Sequence, residues 1–122
     1  MNSERTQLCA DIIITAVEGG IWYWSQVSEY RHDYNGYSAE ETAVIVHEYC
    51  DGEKGITRPI NVYDIDKAIK VIQAQTYYGT IATYIRSTIH VAAGENDASY
   101  IDAEVADVIF QIAMFGKLRY GW

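Results

Sequence analysis

The chain has few cysteines, no long apolar run and no targeting segment at its start. Cys9 and Cys50 are its only cysteines, and they form neither a CxxC pair nor a Cys/His set at zinc spacing. This argues against a zinc site and predicts two reduced thiols. No apolar run approaches the roughly 20 residues that cross a bilayer, and the first residues lack the basic and apolar regions of a signal peptide. The expected location is therefore a reducing cytoplasm, with no membrane partner.

Positive charge is also scarce. Nine lysines and arginines stand against 17 aspartates and glutamates, which gives a formal net charge of −8. A groove that follows nucleic-acid phosphates needs clustered cations, so direct nucleic-acid binding is not expected. The acidity serves solubility in one interpretation and imitates the phosphates of DNA in another.

Motifs of known chemistry are absent as well. No HxH, HExxH or GxSxG pattern occurs, and Gly19 and Gly20 lack the further glycines and the lysine of phosphate-binding loops. His32, His47 and His90 are spread over a predicted loop, strand and helix. The sequence therefore predicts a protein that is not an enzyme, with no cofactor, no catalytic residue and no bound metal.

The residues that are present follow the pattern of one α+β domain spanning residues 1–122. Apolar residues at helical spacing predict helices over residues 4–17, after residue 64, over 80–93 and over 103–115. Alternating residues predict strands over 21–31, 42–49 and 56–63. Because the connections between these strands are short, we expect a three-stranded antiparallel meander packed against about four helices, in the α+β class.

Residues with capping and turn propensity set the expected ends of these elements. Ser3 and Asp64 are expected to cap helices, and Gly19 or Gly20 to end the first helix in a left-handed conformation. Three further expectations are a hairpin connection over residues 51–55, an edge position for Pro59, and a short final strand over residues 117–120.

Aromatic residues are abundant, and the segment EGGIWYWSQVSEYR concentrates them. Trp22, Tyr23 and Trp24 are consecutive in a predicted strand, so Trp22 and Trp24 would share one face and Tyr23 would lie on the other. All three rings cannot then point into one core. We expect Tyr23 and Trp24 to be mainly structural and Trp22 to face an interface. The surplus of apolar surface also predicts a homo-oligomer.

Charged and polar residues supply further candidates. Arg31, Arg58 and Arg86, together with aromatic and Asn/Asp groups, have the chemistry to clamp and stack a nucleotide-type small molecule. Asp97, Asp102 and Asp107 are the basis of an alternative metal site, although Asp102 is also explained as a helix cap. The candidate ligand- or partner-binding residues are Trp22, Trp24, Tyr30, Arg31, Arg86, Asn96 and Asp97.

Two segments, one toward each end of the chain, have distinctive sequences. They are ITAVEGGIWYWSQVSEYR over residues 14–31 and ENDASYIDAEVADVIFQIAMFGKLRYG over residues 95–121. These segments resemble a family of small acidic proteins from actinobacterial phages and mobile elements, whose members read EGGI-G-YW and END…IDA…AD-I-Q…FG-YG. Trp22 stands where family members often have glycine. The resemblance implies a phage-type accessory protein and transfers no catalytic residue.

Together these features predict a non-enzymatic, phage-type binding protein that acts in the host cytoplasm against a defence system. Its partner would be a host defence protein, for example a CRISPR effector, or the nucleotide signal that such a system uses. One alternative is a small metal-dependent hydrolase that uses Asp97, Asp102 and Asp107. Another is a regulatory or structural oligomer.

Overall fold

The computed structural model describes residues 1–49, 55–74 and 81–121. In chain order these residues form α1 (Ser3–Thr15), a π-helical turn (Ala16–Gly20), β1 (Ser25–Arg31), a 3-10 turn (Asp33–Asn35), β2 (Ala43–Glu48), β3 (Thr57–Asn61), α2 (Val62–Gln73), α3 (Thr83–Glu95), a second 3-10 turn (Ala98–Tyr100) and α4 (Ala103–Phe115). The fold is the expected α+β class, with an antiparallel sheet and flanking α-helices.

The sheet is a meander in the order β1-β2-β3. Its inner face is apolar: Val44 and Val46 of β2 and Ile60 of β3 are buried. Val44 lies opposite Ile60, and Val46 lies opposite Val27 of β1. Pro59 lies on β3, an edge strand of this described sheet, as its missing N–H predicted.

The apolar stripes of the helices form the rest of the core. Each residue from 105 to 112 of α4 is buried, and α4 packs against α2, the π-helical turn and β3. The predicted stripe of α1 is also buried, and it consists of Leu8, Cys9, Ile12, Ile13 and Ala16. Burial raises the pKa of the Cys9 thiol to about 12, which keeps it protonated at neutral pH. In the ranges that the structure describes, no helix is long and apolar enough to cross a membrane.

Two helices begin earlier than predicted. Asn2 rather than Ser3 caps α1, because its Oδ1 accepts a hydrogen bond from Arg5 N at 2.8 Å. Asn61 rather than Asp64 caps α2: its Oδ1 accepts from Asp64 N at 3.1 Å, and an Asp64 carboxylate oxygen accepts from Asn61 N at 2.9 Å. This reciprocal pair is a capping box, in which the acidic residue lies three positions inside the helix.

The first strand begins later than predicted. Residues 21–24 form a turn in which the backbone N–H groups of Trp24 and Ser25 donate to Ile21 O at 3.3 and 3.1 Å. Alternating faces for Trp22, Tyr23 and Trp24 are therefore a wrong prediction, because these residues precede the strand. Their directions are set by the turn and by side-chain hydrogen bonds.

Gly20 is required for close packing rather than for a left-handed helix end. The π-helical turn extends α1 as far as Gly20, and among the described glycines only Gly36 and Gly116 have positive φ. A Cβ on Gly20 would lie 2.7 Å from Ala103 O, at the start of α4. Glycine therefore allows the turn and α4 to approach each other.

Residues 117–120, which we call the C-terminal strap, form no strand. Gln111 Oε1 accepts from Arg119 N at 2.8 Å and from Tyr120 N at 2.9 Å, and Gln111 Nε2 donates to Tyr120 O at 3.0 Å. A buried side chain thus satisfies backbone groups that the predicted strand would have paired. Most of the predicted hairpin connection (residues 51–54), Cys50 and the first residue of the predicted helix 80–93 lie outside the described residues.

Replacing Gly20 by alanine should destabilise the protein, since the new Cβ would overlap the Ala103 carbonyl. We expect the free energy of unfolding in urea to fall by about 1–3 kcal/mol. Gly19 is the matched control, because a Cβ there would meet no atom within 4 Å. Gly19→Ala should leave the stability unchanged or raise it by up to about 1 kcal/mol. Equal stability of the two variants would contradict the close approach.

Candidate functional site

A buried carboxylate organises the aromatic segment. Asp107 of α4 is 0% exposed; its Oδ1 accepts from Trp24 Nε1 at 2.7 Å, and its Oδ2 accepts from the Tyr23 hydroxyl at 2.6 Å. Gln111, one helical turn later, donates from Nε2 to both oxygens at 3.1 and 3.2 Å. A charge in a protein interior needs such donors, because desolvation without them costs several kcal/mol. The oxygens of Asp107 are therefore committed to the core.

The other acidic residues of the alternative metal site have separate structural partners. Asp102 Oδ1 accepts from Val105 N at 2.9 Å and caps α4, as the sequence predicted. Asp97 Oδ1 accepts from Ser99 N at 2.9 Å, and hydrogen bonds from Ser99 lower the pKa of Asp97. Within the described ranges, no group of three or more His, Cys, Asp and Glu side chains could hold a metal ion. The structure does not bring these aspartates together with Asp107.

Asn96 joins two helices. It ends α3 with a left-handed φ of 50°, and its Oδ1 accepts from Arg5 Nε at 2.6 Å. The Arg5 guanidinium also donates to Asp66 Oδ1 at 3.0 Å and to Ala93 O at 2.9 Å. These bonds connect α1 with α2 and α3, so the side-chain oxygen of Asn96 already serves a structural contact.

The described contacts of Arg31 and Arg86 are separate from each other. The Arg31 guanidinium lies 5.6 Å from the centre of the Tyr37 ring. Arg86 Nη1 donates to the backbone oxygen of Ile72 at 3.2 Å, at the C-terminal end of α2. Arg31 thus contacts the loop after β1, and Arg86 contacts the end of α2.

Tyr30 carries a buried hydroxyl oxygen without a hydrogen-bond partner in the described part of the chain. Its ring stacks on His32 with 4.2 Å between ring centres. Burial raises the pKa of Tyr30 to about 12, and the negative charges of Glu18 and Asp33 act in the same direction. Its hydroxyl therefore stays neutral at physiological pH.

Trp24 belongs to the core. It is 1% exposed, and its ring stacks on Tyr120 of the C-terminal strap with 5.6 Å between centres and an interplanar angle of 5°. Phe115 covers another side of the indole at 5.3 Å. These contacts leave Trp24 no surface for a ligand, so of the candidate tryptophans only Trp22 can face a partner.

Trp22 has a large exposed surface on a fixed side chain. It is 66% exposed, yet its indole Nε1 donates a hydrogen bond to Val17 O in the π-helical turn. A small cavity of about 190 Å³ lies beside the ring, between Val27 of β1 and Tyr49, which is 51% exposed. We call this region, formed by Trp22, Val27 and Tyr49, the Trp22 surface.

The structure brings together four cations around one cavity, and no pattern in the sequence predicted this cluster. Arg58 is on β3, Lys67 is on α2, and Lys117 and Arg119 are on the C-terminal strap. Their separation along the chain leaves no spacing motif. Arg58 is grouped with Arg31 and Arg86 in the sequence-based prediction, whereas the structure places Arg58 beside Lys67, Lys117 and Arg119.

Comparisons of the chain with protein-family models, with curated proteins and with solved structures find no match. The family resemblance of the two end segments stays a prediction. Functional proposals for this chain therefore rest on its contacts, charges and cavities.

Two tyrosine variants should separate a bonded hydroxyl from an unpartnered one. Tyr23→Phe removes a donor to buried Asp107, so we expect the free energy of unfolding at pH 7 to fall by about 1–3 kcal/mol. Tyr30→Phe is the matched control, since it removes a buried hydroxyl that has no partner among the described residues. This variant should be as stable as the parent or slightly more stable. A larger loss in Tyr30→Phe than in Tyr23→Phe, measured in urea, would contradict the assignment.

Alkaline pH should destabilise the fold through the same residues. Tyrosine ordinarily titrates near pH 10.0, while Tyr30 has a pKa of about 12. Burial and the hydrogen bond to Asp107 also raise the pKa of Tyr23. The unfolded chain loses these protons first, so this stabilisation is complete below pH 10 and declines as the pH rises toward 12. The free energy of unfolding should decline less steeply in the Tyr23→Phe/Tyr30→Phe double variant; an unchanged slope would contradict the prediction.

Proposed function

We propose that this chain is a non-enzymatic, phage-type binding protein that blocks a host defence protein through the Trp22 surface. The observation that carries this proposal is the exposed indole of Trp22, 66% exposed and hydrogen-bonded to Val17 O. Tryptophan is enriched among the residues that contribute most to protein interfaces, because a large rigid ring buries much area with little loss of conformational entropy.

The Trp22 side chain is held in place before any partner binds. Its N–H is already bonded, so covering the ring with a partner leaves no buried donor without an acceptor. The following residues, Tyr23 and Trp24, are fixed by Asp107 at 2.6 and 2.7 Å. A side chain that is ordered in the free protein lowers the entropic cost of association.

The small cavity beside Trp22 suits a single side chain of a partner protein. Its volume is about 190 Å³, and Ile21, Trp22 and Val27 contribute apolar walls. Strong interface residues commonly insert into such well-packed pockets on the opposite surface. We therefore expect the Trp22 ring to insert into the partner and one side chain of the partner to insert into this cavity.

The charge of this part of the chain favours a basic partner. Residues 1–49, which include the Trp22 surface, contain eight aspartates and glutamates against two arginines. An excess of six negative charges steers association toward a positive surface. The nucleic-acid-binding surface of a defence nuclease has this chemistry, and a CRISPR effector is one example. The resemblance to small acidic phage proteins supports the same proposal.

Phage plating on a bacterial host with a defined nuclease defence tests the proposal. Expression of this chain should restore plating, and Trp22→Ala should lose most of the restoration. Tyr84→Ala is the matched control, because Tyr84 is also a large exposed aromatic residue, 59% exposed, but lies on α3. It should restore plating as the parent does.

Titration of the purified defence protein gives the quantitative readout. Trp22→Ala should raise the Kd about 30-fold, which corresponds to about 2 kcal/mol for an interface anchor. Raising the salt from about 50 to about 300 mM should weaken binding of parent and control alike. Full restoration of plating by a folded Trp22→Ala variant, or none by the parent in hosts with nuclease defences, would contradict the proposal.

A further inference from the structure

A second site is separate from the Trp22 surface. A cavity of about 610 Å³ lies between β3, α2 and the C-terminal end of α4, with the C-terminal strap along one side. Small-molecule sites in proteins have volumes of roughly 300–1,000 Å³. The two cavities share no lining residue.

Positive charge is concentrated around this cavity. Its lining includes Arg58, Lys67, Lys117 and Arg119, four of the nine lysines and arginines in the chain. The acidic residue in the lining is Asp64, whose carboxylate accepts the capping hydrogen bond at the start of α2. The lining thus has three excess positive charges in a chain of net charge −8.

Two of these cations, Lys67 and Lys117, have no ion-pair partner in the ranges that the structure describes. Arg58 Nη1 donates to the backbone carbonyl of Ala113 in α4 at 3.4 Å, and Arg119 Nη2 lies 3.4 Å from Glu48 Oε2. Like charges that share a cavity repel one another, and an anion between them would remove this repulsion. The arrangement is that of an anion-binding site.

Arg119 adds a flat surface to the charge. Its guanidinium carbon lies 4.8 Å from the centre of the Phe115 ring. A planar guanidinium that is held over a ring can stack an aromatic base on its other face. Ile56 and Val71 contribute apolar lining to the same cavity. Charge, a stacking plane and apolar walls together match a nucleotide better than a simple inorganic ion.

We propose that this cavity binds a small molecule of the nucleotide class that carries at least two phosphate groups. Arg58, Lys67 and Lys117 bind the phosphates, and Arg119 on Phe115 stacks the base. A nucleoside diphosphate carries about three negative charges at neutral pH, enough to pair with Arg58, Lys67 and Lys117, while Arg119 also faces Glu48. This site does not depend on the Trp22 surface, and it would let the same protein sequester a nucleotide signal.

Calorimetric titration of the full chain at about 50 mM salt tests the ligand class. ADP and GDP are the probes, with inorganic pyrophosphate and adenosine for comparison. At least one of the two nucleotides should bind with a Kd in the micromolar range, pyrophosphate about tenfold more weakly, and adenosine not measurably. No binding of either nucleotide at about 1 mM overturns the site. Pyrophosphate or adenosine binding as tightly as the nucleotides overturns the nucleotide class.

Charge-removing variants test the location. The Lys67→Gln/Lys117→Gln double variant should weaken nucleotide binding at least about tenfold, because two charged phosphate contacts are lost. Lys70→Gln is the matched control: it removes a charge from the same helix, but Lys70 pairs with Asp66 at 2.9 Å and does not line the cavity. Its affinity should stay within about twofold of the parent. An equal loss of nucleotide affinity in Lys70→Gln would show that the net charge of the protein alone attracts the nucleotide, and it would overturn the site.

Two further variants complete the test. Arg119→Lys keeps the positive charge but removes the planar guanidinium on which the base would stack. The nucleotides should therefore bind this variant only as tightly as pyrophosphate binds the parent. Unchanged nucleotide binding by this variant overturns the stacking role. Trp22→Ala should bind nucleotide as the parent does, which separates failure of this site from failure of the proposed blockade. Thermal unfolding of each variant without ligand verifies that it is folded.

Discussion

A charged carboxylate can remain in a protein interior only if enough donors reach it, and Asp107 meets this condition with Tyr23, Trp24 and Gln111. The side-chain oxygen of Gln111 accepts hydrogen bonds from the backbone N–H groups of Arg119 and Tyr120 in the C-terminal strap. Asp107 and Gln111 thus tie together the aromatic turn, α4 and the strap. Each of the two sites is one residue along the chain from this network: Trp22 precedes Tyr23, and Arg119 precedes Tyr120. The second site is the cavity lined by Arg58, Lys67, Lys117 and Arg119, which we call the cationic cavity.

The fold class and most elements follow from residue periodicity, because core-facing positions recur at fixed intervals in helices and strands. The stripe of α2, formed by Ile65, Ala68, Ile69 and Ile72, and the alternation of β2 are such cases. Periodicity failed at residues 21–24, where alternating large residues fit a strand as well as a turn. Trp24 is held in part by the hydrogen bond that its indole N–H donates to Asp107, 83 positions away, and the local sequence has no information about that acceptor.

The candidate site was predictable only in part. Alternating faces would put Trp22 and Trp24 on the same side of a strand, so that pattern does not explain why Trp22 is exposed and Trp24 is buried. The hydrogen bond from Trp24 Nε1 to Asp107 helps to explain it. Asn96 looks free in a turn of the sequence, yet it accepts from Arg5 at the other end of the chain. The cations that line the cationic cavity come from three separate segments of the chain. Counting charges along the sequence cannot show which of them lie close together in the fold.

The π-helical turn gives the Trp22 surface a specific dependence on chain length. A π-turn closes over one residue more than an α-turn, as in the hydrogen bond from Ile21 N to Ala16 O at 3.2 Å. The residue after this turn, Trp22, donates from its indole Nε1 to Val17 O. Deleting a single residue between them would restore the α-helical repeat and rotate the following segment by about 100° about the helix axis. The indole would then point elsewhere. A chain shortened by one residue at this point would therefore place Trp22 differently even if it kept every aromatic residue.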